Sequence, residues 1–516
     1  MAVENLGEKY LSRAKKLSEV TEIYDVNPLS EALFPGSHCP LFGALLAIKE
    51  ISGAATLVVG SDECTYYSKS MAMGSPEFGE QAEYCYSLVL DQADISFGCQ
   101  AKLSEAIREI VESTKFEVIF VVTTCLVELI GDDLDSVCEQ LEAELGINLP
   151  IVHTEHFKCE NHLPGLERVM AACAELMTEP KEQRSADQAR RINLLGHRHG
   201  DFEQSELAEY LDRAGIEIHL VLPSAATVAE IRAAAEVDLN LVTDAIGLAL
   251  AKEMEAEFKI PYLYFDRFVT PETITAAYAR LEAELFTKQG LSLPSELKDW
   301  LENKAAELRE QEAKLRPRLE GLSFIYGNTP LVALEYNAYL SELGLHPALI
   351  QLSRLNEDDL VYRERILKAC DPYVTKNANI APLQPIYDIL KPDFYFGHEF
   401  AEKLRKKGIV LMAMDRLGKL YGYQLTSALL EYLSEGLAAR DKLLSAKQHL
   451  AEAQAAGHPG AKAPGGHPGG HPGGHPGGHP GGHPGGHPGA RPGMASPVES
   501  KKLSGVRLVK SRKEAE

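Results

Sequence analysis

Long apolar runs, closely paired cysteines and an excess of positive charge are all missing from this sequence of 516 residues. Apolar stretches such as VIFVV (118–122) and IGLALA (246–251) are far shorter than the ~20 residues of a membrane-spanning helix. The N-terminal residues mix charges of both signs and lack the apolar core of a secretory signal. We therefore expect a cytoplasmic protein that does not act in a membrane.

The charge of the chain excludes one class of partner. The formal net charge is −23, and affinity for nucleic acid comes mainly from neutralising phosphates with basic side chains. We expect no nucleic acid partner and favour a protein partner. Nine cysteines in a large cytoplasmic chain do not indicate a disulfide framework, because that compartment is reducing. These cysteines are core residues, metal ligands or both.

Apolar strand-like segments alternate with amphipathic helical segments through most of the chain. Examples are the segments TLVVG (56–60) and FEVIFVVTTC (116–125), and the helical pattern of residues 227–237. This alternation is typical of parallel sheets with helices on both faces. It predicts an α/β protein with three Rossmann-like parallel-sheet domains in series. The predicted domains cover residues 1–180, residues 190–320 with a helical connector, and residues 321–450.

The C-terminal residues 457–516 have a different composition. HPGG recurs there with a period of four, and Pro and Gly at that density cannot form helix, sheet or core. We predict a disordered tail with a basic end. Its seven histidines are His458, His467, His471, His475, His479, His483 and His487. Imidazoles bind Ni(II) or Zn(II), so the tail is either a loose, dispensable metal-binding segment or a linker with incidental metal affinity.

Three cysteines occupy similar positions in the first predicted domain. Cys39 lies in a loop that leads into a helix, Cys64 lies just past a strand, and Cys125 lies at the carboxyl end of the next core strand. Loops beyond the carboxyl ends of parallel strands meet at one edge of a sheet, where ligands bind. Three thiolates there could hold an iron–sulfur cluster. Buried cysteines that only pack would have the same spacing, so spacing alone leaves both interpretations open.

The segments HCPLFGALLAIKEISGAATLVVGSDECTYYSKSM and TTCLVELIGDDL resemble the cluster-binding segment of nitrogenase component 1, and its β-type subunit more than its α-type. The similarity rests on Cys-Pro-Leu, on Gly-Ser-(x)-(x)-Cys, and on Thr-Thr-Cys followed by Ile-Gly-Asp-Asp-Leu. It extends more weakly over residues 20–435. The resemblance implies a fold of three Rossmann-like domains, in agreement with the strand and helix pattern.

The resemblance also implies a cofactor and partners. Cys39, Cys64 and Cys125 match the family's ligands to an intersubunit iron–sulfur cluster, either [4Fe–4S] or a P-cluster of the [8Fe–7S] type. Cys159 is a candidate extra ligand, although burial is the more usual role of such a cysteine. The implied assembly, often a heterotetramer, contains a second component 1-type subunit or a second copy of this chain. It receives electrons from an ATP-dependent iron protein.

Two residues of the family's catalytic subunit have no counterpart here. The cysteine that anchors the substrate-reducing cofactor aligns with Asp244, and residues 411–423 contain no histidine to complete the anchor. The resemblance therefore does not imply a molybdenum–iron cofactor on this chain, nor dinitrogen reduction.

Several other polar residues are weaker candidates for functional roles. His153, His156 and His162 are expected either to orient a substrate and supply protons or to be ordinary loop residues. Asp132 and Asp133 match the family's Gly-Asp-Asp and also suit a helix cap. A lone histidine, His398, follows a predicted strand of the third domain and faces a cofactor cavity only if that strand end lines one.

Three hypotheses for the function follow. The first is an oxidoreductase subunit that passes electrons from the iron protein through the cluster to a substrate, as the catalytic chain or as its partner. The second is a non-catalytic scaffold on which a metal cofactor is assembled. The third is an α/β binding protein whose cysteines are only buried.

Overall fold

A computed structural model describes residues 2–31, 38–74, 84–159, 161–180, 190–198, 202–327, 329, 331, 333–355, 357–376, 378 and 380–455. Residues up to Arg440 form one compact unit, and a second unit begins at Asp441. All strands of the described chain lie in the first unit. No helix in these ranges is both long and apolar enough to cross a membrane. The prediction for the histidine-rich tail lies outside the described residues.

The first sheet and the helices around it contain the segments with Cys39, Cys64 and Cys125. The elements of this region are α1 (Ala2–Leu11), β1 (Lys15–Lys16), α2 (Pro40–Ile48), β2 (Ile51–Ser52), β3 (Ala55–Gly60), α3 (Asp62–Gly74), β4 (Cys85–Val89), α4 (Gln92–Phe97), α5 (Gln100–Ser113), β5 (Ile119–Thr123), α6 (Cys125–Ile130), α7 (Leu134–Leu145), β6 (Ile151–His153) and α8 (Leu163–Ala172). Four strands pair in parallel in the order β4-β3-β5-β6. Along β3, Val58 packs into one core while Leu57 and Val59 pack into another. The strand is therefore buried on both faces, which explains its unbroken apolar sequence.

A second parallel sheet follows, in the order β11-β10-β7-β8. Its region contains β7 (Arg191–His197), α9 (Glu206–Arg213), β8 (Glu217–Pro223), β9 (Ala226–Thr227), α10 (Val228–Arg232), β10 (Leu239–Val242), α11 (Leu248–Phe258), β11 (Tyr262–Tyr264), α12 (Pro271–Leu285) and α13 (Ser295–Leu319). The short strand β9 pairs with β2, so the first two regions are joined by a small ladder.

The third sheet has six strands in the order β1-β14-β13-β12-β15-β16. This region contains β12 (Ser323–Tyr326), α14 (Ala333–Glu342), β13 (His346–Leu352), α15 (Leu360–Leu367), β14 (Tyr373–Lys376), α16 (Ile380–Leu390), β15 (Phe394–Phe396), α17 (Ala401–Lys407), β16 (Val410–Met412) and α18 (Gly422–Ala455). Its strands are parallel except β1, which runs antiparallel to β14. The N-terminal segment thus completes the last sheet, and Leu11 and Leu29 share a core with Ile386 of α16. The prediction of an α/β protein with parallel-sheet domains is confirmed, whereas the domain boundaries stay predictions.

Two buried glutamates stabilise the starts of helices. The Glu206 carboxylate accepts hydrogen bonds from the amides of Tyr423 (2.8 Å) and Gln424 (2.9 Å) at the beginning of α18. The Glu335 carboxylate accepts hydrogen bonds from the amides of Val269 (3.0 Å) and Thr270 (3.1 Å), just before α12. Backbone amides at the start of a helix lack a partner within the helix, and these carboxyl oxygens supply one. These contacts therefore connect segments that are distant in the sequence.

Candidate functional site

Cys39, Cys64 and Cys125 each lie at the beginning of a helix. Cys39 is the residue that precedes α2, Cys64 lies in the first turn of α3, and Cys125 is the first residue of α6. The strands before α3 and α6 are β3 and β5, which are parallel neighbours. Cys64 and Cys125 therefore lie at the same edge of the first sheet, which we call the cysteine edge. Helix N-termini favour anionic groups, so all three positions suit thiolates.

The thiols of Cys39 and Cys125 both lie within electrostatic reach of Cys64. Burial raises the pKa of Cys64, and the thiols of Cys125 and Cys39 raise it further, while a hydrogen bond from Ser61 opposes this. Like charges held together disfavour ionisation, and a bound cation reverses that effect. The arrangement therefore suits a group that takes up several thiolates together.

The remaining cysteines provide a contrast. Cys99, Cys138 and Cys173 are buried within the cores, and burial raises the pKa of each to about 12. Cys39, Cys64 and Cys125 are only half-buried. Depth therefore sets Cys99, Cys138 and Cys173 apart as packing residues, whereas Cys85, Cys159 and Cys370 are half-buried like the three candidate ligands.

Two glycines bring the Cys39 helix close to the loop before α8. A Cβ atom on Gly43 would lie 1.9 Å from the His162 carbonyl oxygen, and one on Gly165 would lie 1.9 Å from the Pro40 carbonyl oxygen. Neither position has room for a side chain. The beginnings of α2 and α8 therefore pack backbone to backbone. This contact fixes the position of Cys39 relative to the loop before α8, which carries His156 and His162.

Polar groups near the cysteines fit an iron–sulfur cluster. The backbone amide of His156 donates a hydrogen bond to Cys125 Sγ at 3.2 Å. The buried Thr124 hydroxyl has no hydrogen-bond partner among the described residues. Donors directed at sulfur are typical of cluster sites. No group of three or more His, Cys, Asp or Glu residues in the described ranges is arranged to hold a single metal ion, but the thiolates of a cluster bind separate irons and lie farther apart.

Cys159 has surroundings of its own. Arg168 reaches Cys159 Sγ at 3.6 Å and forms an ion pair with Glu155 at 2.7 Å. Burial raises the pKa of Cys159, and Arg168 opposes that shift. A role for Cys159 as an extra cluster ligand stays a prediction.

The three histidines of the loop occupy different environments. His153 Nδ1 lies 2.7 Å from Glu128 Oε1, and this hydrogen bond raises the pKa of His153. Burial, with the nearby charge of Arg198, lowers the pKa of His162 to about 4, and its Nδ1 atom has no partner in the described chain. Only the backbone of His156 is directed at a cysteine. A shared role in proton supply stays a prediction.

Asp244 is buried in an ion pair that sequence reasoning did not find. Arg267 Nη2 contacts Asp244 Oδ2, and Arg198 Nη2 lies 3.3 Å from the same oxygen. Burial raises the pKa of Asp244, but the two arginines lower it more, so the carboxyl stays ionised. Arg354, after β13, is also within electrostatic reach of Asp244 and Asp266. Basic side chains thus gather where strands of the second and third sheets end.

The remaining candidates have structural contacts. Asp133 accepts a hydrogen bond from the Ser136 amide and caps α7, which confirms the helix-cap interpretation. Asp132 accepts a hydrogen bond from the Cys99 amide at 2.8 Å. His398 is exposed and lies 3.0 Å from Asp415.

Three helices that begin at the cysteine edge, α3, α4 and α6, carry exposed large apolar side chains. Tyr66 on α3 and Leu129 on α6 are 71% and 70% exposed, and Phe97 at the end of α4 is 90% exposed. Phe157, just before Cys159, is also exposed. Exposed apolar groups that lie together on one side of a fold are typical of a protein interface.

Comparison of the sequence with known protein families identifies the class of protein to which this fold and its cysteine edge belong. The family model of nitrogenase component 1 type oxidoreductases matches residues 39–456, so this chain belongs to that family. It is similar to the nitrogenase iron-molybdenum cofactor biosynthesis protein NifE of Methanosarcina barkeri, with 29% identity over 370 residues, 69% of this chain and 79% of the relative. The NifE protein of Clostridium pasteurianum is 34% identical over 227 residues, 44% of this chain and 49% of the relative.

Solved structures share the fold. The structure "Nitrogenase Cp1 at pH 6.5" has a TM-score of 0.64 at 17% identity and covers 80% of this chain and 94% of its own. The structure "Nitrogenase Cp1 at pH 5" has a TM-score of 0.58 at 19% identity and covers 84% and 97%. The fold expected from the strand and helix pattern and from the family resemblance is therefore that of nitrogenase component 1.

Proposed function

We propose that this chain is a non-catalytic scaffold on which a metal cofactor is assembled, and that Cys39, Cys64 and Cys125 bind an iron–sulfur cluster. The observation that carries the choice of a scaffold is the buried ion pair of Asp244 with Arg267. The Asp244 carboxylate, whose charge Arg267 compensates, occupies the position at which the family's catalytic subunit has the cysteine that anchors the substrate-reducing cofactor. The chain then lacks the permanent anchor that catalysis would need.

The basic side chains beside Asp244 support a temporary ligand. Arg198 Nε is buried and has no hydrogen-bond partner in the described chain. Metal–sulfur cofactors are anionic, and arginine binds anions without forming a covalent bond. Such a site can release its cargo, which a scaffold must do.

The relatives support the scaffold over the reductase. Both NifE proteins are named for cofactor biosynthesis. The cysteine motifs alone fit an oxidoreductase subunit as well as a scaffold and do not distinguish the two. Electron transfer from an ATP-dependent iron protein to the cluster belongs to either function and is part of the proposal.

A partner chain belongs to the proposal as well. Tyr66, Phe97 and Leu129 are exposed on helices that begin at the cysteine edge, and three thiolates leave a fourth ligand to come from elsewhere. A second component 1-type subunit, or a second copy of this chain, would cover these side chains and complete the cluster.

The experiment compares wild type with the triple variant Cys39→Ala, Cys64→Ala, Cys125→Ala, both purified without oxygen. We expect iron, acid-labile sulfide and a paramagnetic resonance signal in the wild type only, because thiolates hold the cluster. Cys370→Ala removes another half-buried thiol and should leave the iron content unchanged.

A second step separates the scaffold from the reductase. The cluster-containing complex is incubated with the iron protein and ATP. One assay follows the reduction of an added substrate, and the other follows the activation of a cofactor-free acceptor protein. Activation of the acceptor without turnover supports the scaffold, whereas steady turnover contradicts it. If the wild type contains no iron although it is folded, cluster binding itself is wrong.

A further inference from the structure

Thr124 precedes Cys125 and has a hydroxyl group that the fold itself does not use. The residue is 1% exposed, and its Oγ1 atom has no hydrogen-bond partner among the described residues. Thr124 is also the N-cap of α6, where a threonine hydroxyl normally accepts a hydrogen bond from the helix backbone. Here no side-chain cap bond forms. A buried hydroxyl without a partner costs free energy, so its retention requires a reason.

The position of this hydroxyl relates it to two of the cysteine segments. A Cβ atom on Gly60 would lie 2.1 Å from Thr124 Oγ1, so the hydroxyl occupies the space that a side chain at Gly60 would fill. Gly60 is the last residue of β3, and the helix that carries Cys64 begins two residues later. The Thr124 hydroxyl therefore lies between the segments that carry Cys64 and Cys125.

We propose that the Thr124 hydroxyl donates a hydrogen bond to a sulfur atom of the iron–sulfur cluster and so positions it and sets its reduction potential. The inference rests on the proposed function, because it needs the cluster at Cys39, Cys64 and Cys125. The backbone amide of His156 is already directed at one of these sulfurs. Hydrogen bonds to sulfur stabilise the reduced, more negative state and raise the potential.

The test uses two substitutions of nearly equal size and opposite chemistry. Thr124→Val keeps the shape and removes the hydroxyl, whereas Thr124→Ser keeps the hydroxyl and removes a methyl group. Full-length proteins are purified without oxygen, iron and sulfide are measured, and the reduction potential is determined by titration followed by paramagnetic resonance. We expect a more negative potential in Thr124→Val and a nearly wild-type potential in Thr124→Ser.

A distant threonine serves as the matched control. Thr426 is fully buried, and its hydroxyl donates to the Val269 carbonyl oxygen at 2.8 Å. Thr426→Val removes a buried hydroxyl away from the cysteines and should leave the potential unchanged. Thermal unfolding of the iron-free proteins shows whether each variant folds, and Thr124→Val should unfold at a slightly higher temperature because an unpartnered hydroxyl is gone.

The outcomes separate this inference from the proposed function. If the wild type binds no cluster, both fail. If Thr124→Val keeps both the iron content and the wild-type potential, the inference alone is overturned. If Thr124→Val loses the cluster and Thr124→Ser keeps it, the hydroxyl contact is supported. Loss in both variants would instead show a packing role and overturn the inference.

Discussion

Asp244 and Arg267 are 6% and 5% exposed and compensate each other's charge. Removing one member of a buried ion pair leaves an uncompensated charge in a medium that solvates it poorly. We expect Asp244→Asn to lower the free energy of unfolding by roughly 3 kcal/mol, since Asp266 would be the one carboxylate left in contact with Arg267 among the described residues. Urea denaturation of the iron-free protein measures this change.

An exposed ion pair provides the comparison. Arg108 and Glu144 form a bidentate salt bridge on the surface, with two hydrogen bonds of 2.6 Å. Water screens this interaction. Glu144→Gln should leave the unfolding free energy nearly unchanged. Equal effects of Asp244→Asn and Glu144→Gln would mean that the buried pair adds no more than a surface contact.

Local sequence predicts the cysteine positions but not the ion pair. Cys64 and Cys125 each follow an apolar strand segment within five residues, and Cys39 comes directly before an apolar helical segment. Arg267 and Arg198 come from positions 23 and 46 residues away from Asp244, and neither lies in a recognisable motif. Their meeting depends on how the strand ends converge, which requires the folded chain.

At the scale of elements, Glu335 makes the contact between α14 and the start of α12 sensitive to pH. Burial raises the pKa of Glu335 to about 7, and the nearby Asp266 adds to this, while the amides of Thr270 and Val269 oppose it. The folded protein therefore holds this proton more tightly than the unfolded chain. The resulting stability is fully present below about pH 4.5, the ordinary pKa, and is lost as the pH rises through 7.

We predict that the unfolding free energy of the wild type falls between pH 5 and pH 7 more steeply than that of Glu335→Gln, whose amide cannot titrate. Denaturant titrations at several pH values measure the two slopes. Glu310→Gln is the control, because the hydrogen bond from Lys314 lowers the pKa of Glu310 and keeps its titration below this range. Identical slopes in wild type and Glu335→Gln would contradict the prediction.

Sequence patterns identified the buried strands more accurately than the helix ends. The apolar segments of β3 and β5 were recognised because a strand covered on both faces must be apolar throughout. The helix predicted over residues 227–237 ends at Arg232 in the structure. The amide and hydroxyl of Thr178 both donate to the Arg232 carbonyl oxygen. This tertiary contact ends the helix, and no local pattern encodes it.

At the scale of the whole molecule, we expect metal binding by the C-terminal tail to be independent of the stability of the fold. Residues 457–516 carry the seven histidines His458, His467, His471, His475, His479, His483 and His487. Deleting them should abolish Ni(II) binding in equilibrium dialysis at pH 7.5, where imidazole is neutral. The thermal unfolding temperature and the iron content should not change. Replacing the seven histidines with glutamine should have the same effect, whereas unchanged Ni(II) binding in either variant would refute metal binding by the tail.

The antiparallel strand β1 has a consequence for the making of the protein. Lys16 Nζ donates to the Asp371 carbonyl oxygen, across 355 residues of sequence. A ribosome adds about 5–20 residues per second, so the partner of this segment is synthesised roughly 20 to 70 s later. During that time Leu11, Leu17 and Leu29, all buried in the finished protein, remain without their contacts. The N-terminal segment of the newborn chain therefore cannot bury these side chains in their final core until the last sheet has been synthesised.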